Sequence, residues 1–158
     1  LARDEAAALA SPELAERQAY AAAANNIAAG LRQEPRRSAD VDALMIQAAG
    51  VARRAWEKAG NWMNVERAEY QLALCHAVLG QGTPALHHAG LCLRICEAEQ
   101  ADAVEHFFAH EALVHAHRAA GQADQACAHR AQMAQWLPQV ADAGMQAYCA
   151  KTLADTPA

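Results

Sequence analysis

The sequence predicts an all-α protein: a right-handed stack of antiparallel helical hairpins, about seven helices in all. Three observations carry this. Alanine dominates the 158 residues while aromatics make up only 5%, and alanine gives up no side-chain entropy on entering a helix. Helix start and stop signals recur along the whole chain, separated by short polar links. Finally, Val78-Leu79-Gly80-Gln81-Gly82-Thr83-Pro84-Ala85 is echoed 41 residues later by Ala119-Ala120-Gly121-Gln122-Ala123-Asp124-Gln125-Ala126. A period near 40 that carries helix, glycine turn and helix is the mark of stacked helical hairpins. A chain of this length buries roughly 70% of its unfolded surface, enough for one domain over 1–158 without disulfides or metal.

The elements follow in order. Ser11-Pro12-Glu13 places an N-cap before a first-turn proline and opens a helix to about Leu31. Gln33 to Ala39, with Pro35 and two arginines, is a polar connection. Ser38 or Asp40 caps a second helix that ends near Gly60. Asn61 starts a third, whose Val65, Leu72, Leu74 and Leu79 lead to Gly80. Thr83-Pro84 repeats the cap-and-proline signal for a helix to about Glu97. Asp102 and Glu105, at capping-box spacing, open a helix that stops at Gly121, and Asp124 caps another that Pro138 breaks. A last helix, roughly Gln139 to Leu153, covers the end of the stack, and residues 1–10 read as a frayed lead-in. Links of two to six residues make successive helices antiparallel.

These residues resemble the tetratricopeptide repeat (TPR). Leu72-Ala73 stands for the paired position of its first helix, Gly80 for its turn, and Ala85 and Cys92 for the small positions of its second helix. The second copy offers Leu113-Val114, Gly121, Ala126 and Met133. The unit is nearer 40 residues than the family's usual 34, and Val114 and Met133 are larger than the pattern asks. The resemblance implies a TPR-like α-solenoid with a degenerate hairpin over 12–60, hairpins over 61–98 and 102–137, and a capping helix over 139–153. An array of unrelated helical hairpins is the alternative architecture.

Composition narrows function. Residues 1–60 balance eight basic against eight acidic side chains, so the formal charge of -5 resides in 61–158. That balance repels phosphate backbones and argues against nucleic acid. No apolar run reaches the roughly 20 residues that cross a bilayer, and no secretory signal is visible. Five cysteines, Cys75, Cys92, Cys96, Cys127 and Cys149, include no CxxC pair; an odd count at apolar helical positions reads as reduced, buried thiols in a cytoplasmic protein. The chain opens at Leu1 rather than Met, which suits a piece of a longer protein.

Chemistry has little to work with. There is no Gly-rich phosphate loop and no GxSxG elbow, so no enzyme and no cofactor are expected. All eight histidines lie between His76 and His129. His106 and His110, four apart with His117 two turns further on, are the candidate metal pair, but His110-Glu111-Ala112-Leu113-Val114-His115 is one residue too long for HExxH. His88, Cys92 and Cys96 climb about 6 Å of helix per step, which separates the outer two by about 12 Å. The expectation is therefore no metal.

The resemblance implies instead that the first helix of each hairpin lines a groove. The residues it places there are Arg67, Tyr70 and Leu74, then Phe108, Glu111, His115 and Arg118. The expected function is a protein-interaction scaffold that binds a peptide or partner helix, or another copy of the chain through the apolar ends of the stack. A His-rich metal- or ligand-sensing domain is the competing reading, and a sensory or assembly fragment of a larger regulator is a third.

Overall fold

The computed structural model describes residues 12–157, and the readings placed on Ser11 and on residues 1–10 lie outside them. The described residues form seven α-helices and no strand: α1 (Pro12–Gln33), α2 (Ala39–Ala59), α3 (Trp62–Val78), α4 (Gly82–Ala98), α5 (Ala103–Ala119), α6 (Ala123–Trp136) and α7 (Ala143–Asp155), with a 3-10 turn at Leu137–Gln139. None of these helices is long and apolar enough to cross a membrane. The helices gather into two compact units that divide within α3, between Ala68 and Glu69.

In the first unit α1 packs on α2 through small side chains. Ala21, Ala24 and Ala28 are buried on α1, and Met45, Ala48, Ala49 and Ala52 on α2. These recur at three- and four-residue steps, one helical face each. Ser38 Oγ accepts from the Val41 amide, so Ser38 rather than Asp40 caps α2. Arg37 fastens the connection, donating to Asp42 at 2.7 Å and to the Glu34 carbonyl at 2.8 Å. Gly60 ends α2 in an extended conformation (φ -113°) rather than a left-handed one. The first hairpin therefore lacks the turn its glycine suggested. Asn61 then caps α3, its Oδ1 accepting from the Met63 and Asn64 amides, and Asn64 Oδ1 accepts back from the Asn61 amide. This reciprocal arrangement is a capping box with asparagine in the place of glutamate.

In the second unit the 41-residue echo becomes geometry. Gly80 (φ 70°) and Gly121 (φ 72°) are both left-handed. Behind each, two amides turn back on the helix end: Gln81 to His76 O and Gly80 to Ala77 O, then Gln122 to His117 O and Gly121 to Arg118 O. Each is a Schellman closure, which satisfies the last carbonyls of α3 and α5. Such a turn needs a left-handed residue, which glycine adopts without strain. Gln100 makes the same closure after α4 with φ 51°.

Three start signals shift. α4 begins at Gly82 and α6 at Ala123, capped by Gln81 and Gln122 without a side-chain hydrogen bond. Thr83 and Asp124 therefore lie inside first turns, where a polar side chain tolerates exposure but caps nothing. The final helix starts at Ala143, with Asp142 Oδ2 accepting from the Met145 amide at 2.7 Å. Residues 137–139 tighten into 3-10 geometry because Pro138 withholds an amide from α6.

Three apolar clusters hold this unit, the smallest of them Cys92, Cys96 and Ala109 between α4 and α5. Ala73, Ala85, Ala89, Ala112, Leu113 and Ala116 join α3, α4 and α5. Phe107, Val114, Ala126, Met133, Val140 and Cys149 join α5, α6, the 3-10 turn and α7. Four cysteines are buried as small hydrophobes, but Cys127 is exposed on α6, against the expectation for it. Its helix is polar and nearly all exposed on that side, so the thiol has no core to enter.

Candidate functional site

The first candidate is an aromatic run in the second unit. Tyr70 on α3 meets Phe108 on α5 edge-on, with ring centroids 5.9 Å apart at 75°. Phe108 in turn meets Tyr148 on α7 at 6.1 Å. Edge-to-face contacts of this length let the positive rim of one ring lie on the negative face of the next. The run ends in solvent, since Tyr148 is 59% exposed and Met145, three residues before it, is exposed too. Below Tyr70, its hydroxyl donates to Glu111 Oε2 at 2.7 Å, and Glu111 Oε1 lies 3.6 Å from His115 Nε2. The Glu111 charge, after burial, also pushes the Cys149 thiol above its usual range.

Tyr70, Phe108, Glu111 and His115 thus come together through these contacts. Leu74 is buried, so it supports the core rather than a surface. Glu111 is also buried and occupied by Tyr70. Arg118 is exposed in the last turn of α5, where its positive charge complements the helix end. Arg67 is exposed on the part of α3 that belongs to the first unit. Tyr148 was missed because α7 echoes no other segment, and no repeat register assigned its face.

The second candidate is the histidines. His110 Nδ1 lies 3.0 Å from His129 Nδ1, and His117 stacks on His129 at 5.2 Å and 12°. His106, by contrast, lies flat on Trp136, centroids 4.3 Å apart at 9°. The pair His106 and His110 is therefore divided between two partners, one aromatic and one imidazole. Among the described residues, no third His, Cys, Asp or Glu ligand atom converges with theirs. Burial lowers the His106 pKa against the opposing charge of Glu97.

In the preceding hairpin the same register holds a different pair. Glu69, 41 residues before His110, accepts from His88 Nδ1 at 2.6 Å, and His88 is 41 residues before His129. His76 stacks on His88 at 5.6 Å and 5°, as His117 does on His129. His76 and His117 each place Nδ1 2.7 Å from a glutamine, Gln81 and Gln122, just past the turn glycine. The sequence carries the signal for this as His-x3-Gly-Gln, twice, at His76 and His117.

In the first unit a cavity of about 620 Å³ is lined by Glu13, Glu16, Arg17, Tyr20, Ala55 and Lys58. Its two acids and two bases balance in formal charge. Compared with protein-family models, curated proteins and solved structures, the chain matches none.

Proposed function

We propose that the second unit is a non-enzymatic interaction scaffold, TPR-like in its use of stacked hairpins, that holds an extended peptide or partner helix along the Tyr70–Phe108–Tyr148 face. The observation that supports this is the aromatic run, which crosses three helices in steps of about 6 Å and ends on a tyrosine 59% exposed. Tyrosine and phenylalanine offer large contact area at little entropy cost, and tyrosine adds a hydroxyl for a peptide backbone. Glu111 orients Tyr70 from below, and His115 and Arg118 supply polar contacts at the same helix surface. Such a face recognises a segment with apolar anchors and a carboxylate that Arg118 can fork.

The test is selection of binders from a displayed random-peptide library on the intact chain. A selected peptide is then titrated against Phe108→Ala and Tyr148→Ala, each checked for unchanged helicity. Loss of affinity by tenfold or more in both variants supports the reading. Peptides that bind wild type and both variants equally, or no enrichment at all, sink it.

A further inference from the structure

His110, His129 and His117 form a column of three imidazoles across the seam between α5 and α6. His110 and His129 have centroids 5.2 Å apart at 28°, and His117 stacks on His129 at 5.2 Å and 12°. The 3.0 Å contact between the two Nδ1 atoms holds a single proton, one nitrogen donating and the other offering its lone pair. If both rings were cations, both nitrogens would carry hydrogen and two donors would face each other. In the seam between the second half of α3 and α4, the partner of the imidazole is the Glu69 carboxylate, which accepts from His88 whether or not that ring is charged.

The geometry points to an acid-released latch: His110 and His129 hold α6 against α5 by sharing one proton, and protonation of both opens that seam while the Glu69–His88 seam stays closed. Burial first, then the charges of His129 and His106, hold the His110 pKa down to about 4. Burial first, then His117, also lowers that of His129. An imidazole released to solvent titrates near 6.5. Between 6.5 and 4 the open state therefore binds more protons, so closure weakens as the pH falls through that window.

Charged groups also stand on the elements around the column. On α4, Glu97 acts on His106. On α5, Glu105 is buried in the first turn, Glu111 is taken by Tyr70 and His115, and Arg118 lies in the last turn. On α6, Asp124 is exposed in the first turn, and Arg130 donates to the Thr156 and Leu153 carbonyls. On α7, Lys151 pairs with Asp155, and Cys149 is buried near Glu111.

Amide hydrogen exchange of the whole chain at pH 7 and pH 5, corrected for intrinsic rates, tests this. The expected result is a loss of protection in α6 approaching tenfold per pH unit for each proton taken up, with a smaller loss in α4, where His76, stacked on His88, is the ring whose pKa burial lowers. His110→Glu rebuilds the Glu69–His88 arrangement in the second hairpin and is expected to retain α6 protection at pH 5. Should that variant fail to fold, His129→Gln removes the second titrating ring and is expected to halve the slope or more. Equal loss in α4 and α6, no loss in α6, or wild-type behaviour in the folded variant overturns the proposal.

Discussion

The two hairpins of the second unit end their first helices alike and pack their second helices differently. Both close on a left-handed glycine with the same pair of returning amides, and both stack one imidazole on another behind that turn. Their interiors diverge at corresponding positions. Cys92 and Cys96 in α4 occupy the register of Met133 and Leu137, and Ala73 that of Val114. The difference teaches where each layer draws its stability. The α4 layer relies on close approach of small side chains around Ala85 and Ala89, whereas the α6 layer fills its space with Phe107 and Met133, both fully buried. A layer of small residues tolerates little insertion, and a layer of large ones tolerates little removal.

Deleting bulk from the second layer breaks the comparison most strongly. Phe107→Ala is expected to cost about 3–5 kcal/mol, and Met133→Ala about 2–5 kcal/mol, because each leaves a cavity. Cys92→Ala at the matching place removes one sulfur and is expected to cost about 1 kcal/mol. Urea midpoints of the three variants check the ranking; a Cys92 effect equal to that of Met133 would contradict it.

Adding bulk should show the opposite asymmetry. A Cβ on Gly82 would lie 2.6 Å from Ala120 Cα, so Gly82→Ala forces α4 and the end of α5 apart and is expected to cost about 1–3 kcal/mol. Alanine already stands at the corresponding place in the other copy, Ala123, and is exposed. Thermal melts of Gly82→Ala beside Ala123→Gly separate a packing effect from a helix-propensity effect.

The turns themselves offer a smaller test. Gly80→Ala and Gly121→Ala force a left-handed alanine and are each expected to lose about 1–2 kcal/mol, by equal amounts, since nothing lies within 4 Å of either Cβ. Unequal losses would mean that the two closures differ in more than sequence. Gln100, which makes the same closure without glycine, gives the inverse experiment. Gln100→Gly is expected to stabilise the chain by about 0.5–1 kcal/mol, after the greater freedom of unfolded glycine is deducted, read as an upward shift of the melting midpoint.

Much of this was legible residue by residue. Ser38, Asn61 and Asp142 cap because a short polar side chain can reach an amide two or three residues on, a purely local relation. Gly80 and Gly121 were marked by repetition, and the turn they form depends on six adjacent residues. Thr83 and Asp124 misled because their helices begin one residue earlier, where Gln81 and Gln122 are committed to histidines behind the turn. Gly60 misled because a glycine permits a left-handed turn without requiring one. Of the candidate site, the contact of Tyr70 with Glu111 lay within the 41-residue period, but Tyr148 and His129 did not announce themselves. Tyr148 lies on α7, which repeats no other segment, and His129 stands one 41-residue period after His88 while its partner changes from Glu69 to His110.

The sequence alone determined that this chain is helical, where nearly every helix starts and stops, and that two of its turns are copies of one another. These are local properties, set by propensity, caps and backbone freedom within a few residues. Only the tertiary structure decided which imidazole meets a carboxylate and which meets another imidazole, and that the aromatic run passes from α3 through α5 to α7. Side chains 19 or 41 residues apart meet only after helices pack. Packing is chosen by the volume of a whole layer rather than by any one residue in it.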